Sequence, residues 1–350
     1  MRFSKYQLQT FTSSVFIKCG MSREDAMQAA DVLLASDLRG IDSHGVARLV
    51  GYVRLWEAGR ANMKPKHKII HETPSTATLD ADAGLGLVIA PRAMQIAIEK
   101  AKNVGTGWVA IQNSNHFGIA AYHAMLALPH DMIGICMTNA SPLVAPTFSK
   151  ERMLGTNPIC IAVPAQKHQP FVVDMATSNA ANGKLEIAQR ANKPVPPGWV
   201  QTETGQDSTD ANEVKNGGSL LPLGGHKGYG LGAAVDILSA VLSGANYGPW
   251  VPPFVTFLNP LENLPGKGIG HFVGAMRIDA FRPADEFKKH MDDWITRFKN
   301  AERIDPEQEV LIPGEPEYRM TLEREKNGIP LNEKVIKDLQ ELGIKFEIQL

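Results

Sequence analysis

The sequence predicts an α+β (mixed α/β) protein, in which a central, largely antiparallel sheet is flanked by a helical part built from both chain ends. Three observations carry this. Residues 159–163 and 171–173 read as strands joined only by Pro164 to Pro170, too short a link for the crossover that a parallel pair requires. Helix signals cluster near the two ends of the chain. A length of 350 residues also exceeds what one compact core usually holds, so two or three domains are expected.

In chain order, Ser22-Arg-Glu-Asp25 has capping-box spacing and marks the first helix, with Met27, Ala30, Leu33 and Leu34 on one face. The segment GIDSHGVARLVGY (residues 40–52) follows. Read as a helix from His44 onward, His44, Arg48 and Tyr52 fall at roughly 0°, 40° and 80° around its axis. Val46, Leu49, Val50 and Val53 take the opposite, core-facing arc. Residues 108–111, 132–136, 159–163 and 171–173 are apolar, strand-like runs. The Pro/Gly/Asn-rich passage 192–228 reads as an extended loop, and loops of that length are often functional. Asn332 caps a last helix carrying Val335, Leu339 and Leu342 and stopped by Gly343. The closing IKFEIQL alternates like a half-buried strand.

Charge and cysteine content exclude several classes. Thirty-six basic against 37 acidic side chains leave a net charge of −1, without the basic footprint of a nucleic-acid binder. Cys19, Cys136 and Cys160 are too few and too scattered for a disulfide framework or a thiolate zinc site. The most hydrophobic stretch, 231–242, is interrupted by Asp236 and is too short to span a bilayer. The start, MRFSKYQLQTF, lacks the apolar core of a signal peptide. The expectation is a cytoplasmic protein with neither membrane nor nucleic acid as partner.

Three constellations could carry chemistry. In the first, His44 can take or give a proton near neutrality, and Arg48 offers a planar fork for a carboxylate. Together they suit a 2-hydroxy or 2-oxo acid; a solvated helix face is the plainer alternative. The second is Asn113-Ser-Asn-His-Phe-Gly118, where His116 sits at a strand end and could equally be a satisfied turn histidine. His44, His116 and His123 have no zinc spacing, so no metal is expected. The third, Gly228-Tyr-Gly-Leu-Gly-Ala233, matches G-x-G-x-x-A, but Leu-Pro-Leu-Gly-Gly precedes it where a strand should stand, so a Rossmann domain is rejected. Those glycines could still present backbone N–H groups to a phosphate, with Lys227 adding charge.

Taken together, these segments resemble the type-2 malate/L-lactate dehydrogenase family, which includes ureidoglycolate, sulfolactate and diketogulonate dehydrogenases or reductases. The resemblance runs from about Asp37 to Glu317, on DLRGIDSHGVARL, NSNHFG, TNASPLVAP, LGTNPI, VVDMATS, PLGGHKGYGL and LIPGEPE in that order. It implies a homodimeric oxidoreductase using NAD or NADP, NAD being favoured, with a non-Rossmann, largely antiparallel cofactor domain. The expected division is a helical unit of residues 1–72 plus 278–350, a substrate-side unit of 73–118 plus 229–277, and a cofactor unit of 119–228.

The resemblance further implies His44 and His116 as the catalytic proton carriers, with the choice between them open. It implies Arg48 as carboxylate ligand, with Tyr52, Ser43 and Thr156 also on the substrate. The cofactor is expected to run past His116, Asn139, Ser141, Asp174, Met175, Ala176, Thr177, Ser178, His226, Lys227, Gly314, Glu315 and Pro316. Ala140 stands where the ureidoglycolate branch has a serine, which weighs against that substrate. Malate or lactate is the leading expectation, with ureidoglycolate, sulfolactate, diketogulonate and cyclic imino acids as alternatives within the family. A non-redox hydrolase is the alternative from another class, opposed by the absence of a G-x-S-x-G elbow.

Overall fold

A computed structural model describes residues 1–255 and 261–350; residues 256–260, inside the expected 229–277 segment, lie outside the described residues. The chain opens with a two-residue strand β1 (Arg2–Phe3) and helix α1 (Lys5–Lys18). Ser4 and Gln7 form a capping box that starts this helix, one helix earlier than the sequence reading placed the first. Helix α2 (Arg23–Leu38) begins where expected, with the Ser22 side chain accepting from the Asp25 N–H. Met27 does not share the buried face: it is 48% exposed, while Ala26, Ala29, Ala30, Leu33 and Leu34 are buried.

Helix α3 (Leu49–Glu57) follows a 3-10 turn at Val46–Arg48. His44 therefore lies before the helix and not on it, correcting the expected start. Next come β2 (Lys68–Glu72), β3 (Thr76–Asp80), the long helix α4 (Gly86–Val104), β4 (Thr106–Ser114) and the short helix α5 (Ala120–Met125). Strands β5 (Met132–Thr138), β6 (Ile159–Val163) and β7 (Phe171–Met175) match the expected runs, and β6 pairs antiparallel with β7.

The passage expected as one extended loop is not structureless. After α6 (Asn182–Arg190), it contains the two-residue strands β8 (Val200–Gln201), β9 (Asp207–Ser208) and β10 (Ser219–Leu220), which form a small sheet of their own. Helix α7 (His226–Asp236) then begins two residues before the loop was expected to end. The chain continues through β11 (Ile269–Arg277), α8 (Ala284–Lys299), α9 (Glu315–Asn327), β12 (Ile329–Pro330) and α10 (Glu333–Phe346). Asn332 caps α10 as expected, but the helix runs past Gly343 to Phe346, so IKFEIQL is no strand.

Among the described residues, the main sheet has seven strands in the order β2-β3-β4-β11-β5-β6-β7, and only the β3–β4 pair runs parallel. Strand β11, late in sequence, enters between β4 and β5 and pairs antiparallel with both. One hydrophobic cluster joins α1–α3 to Ile329, Leu339 and Leu342 from the other end of the chain. A second cluster fills the space between α4, α5 and the sheet, with Ile89, Met94, Val109, Ile111 and Val273 at its centre. A third lies under the small sheet, around Leu185, Val200 and Leu220. Among the described residues, no helix is long and apolar enough to cross a membrane.

Candidate active site

The site is assembled where α2 ends. Gly40, at φ 78°, terminates that helix: its N–H bonds Asp37 O at 3.1 Å, and the Ile41 N–H reaches back to Ser36 O at 2.9 Å. This paired 6→1 and 5→2 closure turns the chain sharply and needs a residue without a Cβ penalty. The Asp37 side chain then accepts the Val46 N–H at 2.8 Å, so the acid starts the next helical turn from nine residues back. Between these two anchors hang Ser43 and His44.

Four predicted side chains of the segment 43–52 converge here with a fifth, His116, from just after β4. Arg48 Nε donates to Ser43 O at 2.6 Å, and Ser43 Oγ lies 2.9 Å from His44 Nδ1. The His44 and His116 rings stack at 5.7 Å between centroids, 24° from parallel. Tyr52 is fully buried, and its hydroxyl lies 2.6 Å from His116 Nδ1. Phe254 packs at 4.9 Å from the His116 ring and 5.2 Å from Tyr52. A Cβ on Gly51 would stand 2.5 Å from that phenyl ring, so glycine there lets the ring reach the site.

Burial sets the protonation of both histidines. His44 is pushed down to about 4, first by burial and then by the neighbouring Arg48 charge. His116 is held well below the ordinary histidine range by burial, then by His44 and Arg48. Both imidazoles are therefore neutral at neutral pH before a substrate anion arrives. Tyr52 is shifted upward by burial and keeps its phenolic proton.

The expected cofactor residues divide by what their side chains already do. Asp174, Gly314 and Pro316 line one cavity of about 320 Å³ together with Arg39 and Ile41, from the segment that leads to His44. The Asp174 carboxylate accepts the Ala121 N–H at 2.8 Å and is pushed up to about 6, mainly by burial. His226 and Lys227 are exposed at the start of α7, whose first turn has no side-chain cap. Gly224 and Gly225 precede it at φ 58° and 70°, and a Cβ on either would meet open space. Free N–H groups beside a lysine at a helix start suit an anion such as a diphosphate. Met175, Ala176 and Ser141 are half-buried.

Other expected contacts are committed to the fold. Asn139 is buried, donating to Asp236 at 2.9 Å and Asn246 O at 2.8 Å and accepting from the Gly270 N–H at 3.0 Å. The Thr177 hydroxyl donates to the Thr156 and Asn157 carbonyls, and the Ser178 hydroxyl to Ala180 O. Buried Glu315 accepts from Lys299 at 2.6 Å and Arg319 at 2.6 Å. Thr156 thus touches Thr177 through its backbone and is not joined to the histidine cluster by any of these bonds.

Three participants, Asp37, Phe254 and His271, escaped the sequence reading, whereas His123 was named there as lacking a zinc spacing. Asp37 and Phe254 support the site directly. Behind it, His271 stacks on Phe117 at 4.8 Å and bonds Ser114 and Thr138 at 2.8 and 2.7 Å. His123 also packs on Phe117, at 4.8 Å between centroids, so the residue after His116 is in contact with two buried imidazoles. The DLRG motif contained Asp37 as a letter, but no local spacing ties an acid to an N–H nine residues on. Among the described residues, no group of three His, Cys, Asp or Glu side chains is arranged to hold a metal.

Comparison with known proteins identifies the family. The model of the malate/L-lactate dehydrogenase family matches residues 3–340. A malate dehydrogenase of Pyrococcus abyssi is 45% identical over 356 residues, covering 100% of this chain and 96% of the relative. A ureidoglycolate dehydrogenase of Escherichia coli O157:H7 is 30% identical over 315 residues, covering 90% and 88%. The solved sulfolactate dehydrogenase from Methanocaldococcus jannaschii superposes with a TM-score of 0.91 at 39% identity, covering 100% of this chain and 98% of that one. The chain belongs to the malate/L-lactate dehydrogenase family and is an oxidoreductase acting on the CH–OH group of a small 2-hydroxy acid.

Proposed function

We propose that the chain interconverts malate and oxaloacetate, with His44, Arg48 and His116 as its working side chains. The observation that carries this is the stacked His44–His116 pair beside an arginine whose Nε is tied to Ser43 O. That tie leaves the two Nη groups to grip a substrate carboxylate as a bidentate fork. Malate is favoured over lactate and sulfolactate because the relatives at 45% and 43% identity are named malate dehydrogenases. Lactate, sulfolactate, ureidoglycolate, diketogulonate and cyclic imino acids are the other substrates this grip would accept.

A bound nicotinamide, NAD in preference to NADP, supplies or accepts the hydride. The uncapped start of α7 with Lys227, and the cavity at Asp174, Gly314 and Pro316, are the parts of the chain that would hold that cofactor. Ser141, Met175, Ala176 and the segment at Thr177–Ser178 continue that path. A sheet with a single parallel pair supports a cofactor site outside the Rossmann pattern. In the reductive direction the substrate carbonyl gains C–H, its C–O π bond opens, and the oxygen takes a proton from an imidazole within hydrogen-bond reach. In oxidation, a neutral imidazole takes the hydroxyl proton. The fully buried Tyr52, with the partly buried Phe254 packed on it, would limit the access of water to that exchange.

We further propose a homodimer, the three-part division 1–72 plus 278–350, 73–118 plus 229–277 and 119–228, and a cytoplasmic setting. The helical cluster shared by both chain ends supports the first unit. Three free, buried cysteines support a reducing compartment. Thermal-shift measurement with NADH and NADPH tests the cofactor reading: stabilisation by at least one is expected, and no shift with either overturns it.

A further inference from the structure

We propose that Tyr52 is a positioning residue that fixes His116 as its Nε2–H tautomer, leaving His44 as the group that carries the proton. This rests on the hydroxy-acid reading above and gives a structural cause for a division of labour between the two histidines.

Two groups meet Nδ1 of His116. Tyr52 Oη lies at 2.6 Å and the backbone N of Gly118 at 3.3 Å. An amide N–H only donates, so the nitrogen it faces carries no proton of its own. With Nδ1 an acceptor, the Tyr52 hydroxyl must be the second donor. Its proton is available, because a fully buried phenol stays protonated. A neutral imidazole has one N–H, and it is therefore on Nε2. Flipping the ring about Cβ–Cγ would put a carbon where both donors point. Phe254, packed against both rings, also opposes that rotation.

The consequence is chemical. His116 Nε2–H can donate a hydrogen bond to the substrate oxygen in both directions of reaction. It cannot accept the hydroxyl proton at that nitrogen, which is already filled. His44 has no such constraint. Its Nδ1 faces Ser43 Oγ at 2.9 Å, and a serine hydroxyl donates or accepts, so either tautomer of His44 is allowed. Among the described residues its Nε2 has no hydrogen-bond partner, so it can load and release a proton. In reduction that proton moves to the substrate oxygen as the hydride adds to carbon, and His44 then recovers one from water.

The test reads the tautomer and the titration separately. In the full-length protein labelled with 15N-histidine, two-bond 1H–15N spectra report which ring nitrogen is protonated, and loss of one spin system in His116→Gln assigns it. The expected result is a bare Nδ1 and a protonated Nε2 for His116 from pH 6 to 9, shifting to a tautomer mixture in Tyr52→Phe. A protonated Nδ1 in the unsubstituted protein, or no change in Tyr52→Phe, overturns the proposal. In kinetics, His116→Gln keeps an N–H donor near Nε2 but cannot titrate, so it should lower kcat while the acid limb of the pH profile stays in place. His44→Gln should lose about 100-fold or more in kcat, together with that limb. The reverse pattern overturns the assignment. The spectra need no substrate, so a wrong substrate class and a wrong tautomer fail in different experiments.

Discussion

The backbone N–H of Val46 donates to the buried carboxyl group of Asp37 at 2.8 Å, across nine residues of sequence. This single bond decides where the helical turn carrying Arg48 begins, and hence how far Arg48 stands from His44. Burial pushes Asp37 up to about 8. An acid raised in the folded state binds its proton more tightly there than in the unfolded chain. Its stabilising effect is complete below the unfolded value near 4 and is lost as pH rises through about 8. Asp37→Asn removes that titration and keeps an acceptor for Val46. Melting temperatures of the unsubstituted protein should fall between pH 6.5 and 8, above the Asp174 value of about 6, and those of Asp37→Asn should fall less. Equal slopes would show that Asp37 does not titrate there.

Gly45 lies against the same carboxyl group: a Cβ would stand 1.9 Å from Asp37 Oδ1. Gly45→Ala should therefore break the Asp37–Val46 bond or displace the segment, costing about 1–3 kcal/mol of stability. Chemical denaturation measures this. Because His44 is the next residue back, turnover should fall as well, and a fully active, equally stable variant would contradict the close packing.

Arg48 is expected to grip the substrate carboxylate through its Nη pair. Arg48→Lys leaves a point charge without the fork, and it also loses the Nε bond to Ser43 O. KM for the 2-oxo acid should rise about tenfold or more, equivalent to about 1.4 kcal/mol, with a smaller change in kcat. Steady-state kinetics decide, and an unchanged KM would remove Arg48 from the substrate.

His44 is held at about 4 by burial and by Arg48. For oxidation of the hydroxy acid the base must be neutral, so kcat/KM should be flat near neutrality and fall only as pH drops toward 4. Arg48→Gln removes one of the two causes, so the acid limb should move to higher pH. A limb that does not move would mean that another group titrates.

Much of this was legible locally. The strands at β5, β6 and β7 announced themselves as apolar runs, and the short Pro164–Pro170 link dictated that β6 and β7 pair antiparallel. Helices α2 and α10 were marked by Ser22 and Asn332. Where local signals failed, contacts distant in sequence explain it. Gly343 looked like a helix stop, but it is buried near Phe11 and accepts the Ile348 N–H at 2.9 Å, so the glycine serves close packing and the helix continues. The strands at Val200–Gln201, Asp207–Ser208 and Ser219–Leu220 are too short to show alternation.

The site followed the same division. The residue types of His44, Arg48 and His116 pointed to an acid/base pair and a carboxylate fork. Their arrangement did not follow from spacing. Helical geometry put Tyr52 on one stripe with His44 and Arg48, and the resemblance put it beside the substrate, yet it is fully buried with its hydroxyl on His116, 64 residues away. Pairings of that kind exist only once β4 and α3 have packed together, and a period of 3.6 carries no record of them.

The most direct test is a panel assay of reduced-cofactor oxidation. Oxaloacetate, pyruvate, 3-sulfopyruvate and cyclic imines are each presented with NADH and with NADPH. The account predicts turnover with 2-oxo acids, oxaloacetate being the best, and its loss in His44→Gln. Oxidation of neither cofactor with any 2-oxo acid would contradict it.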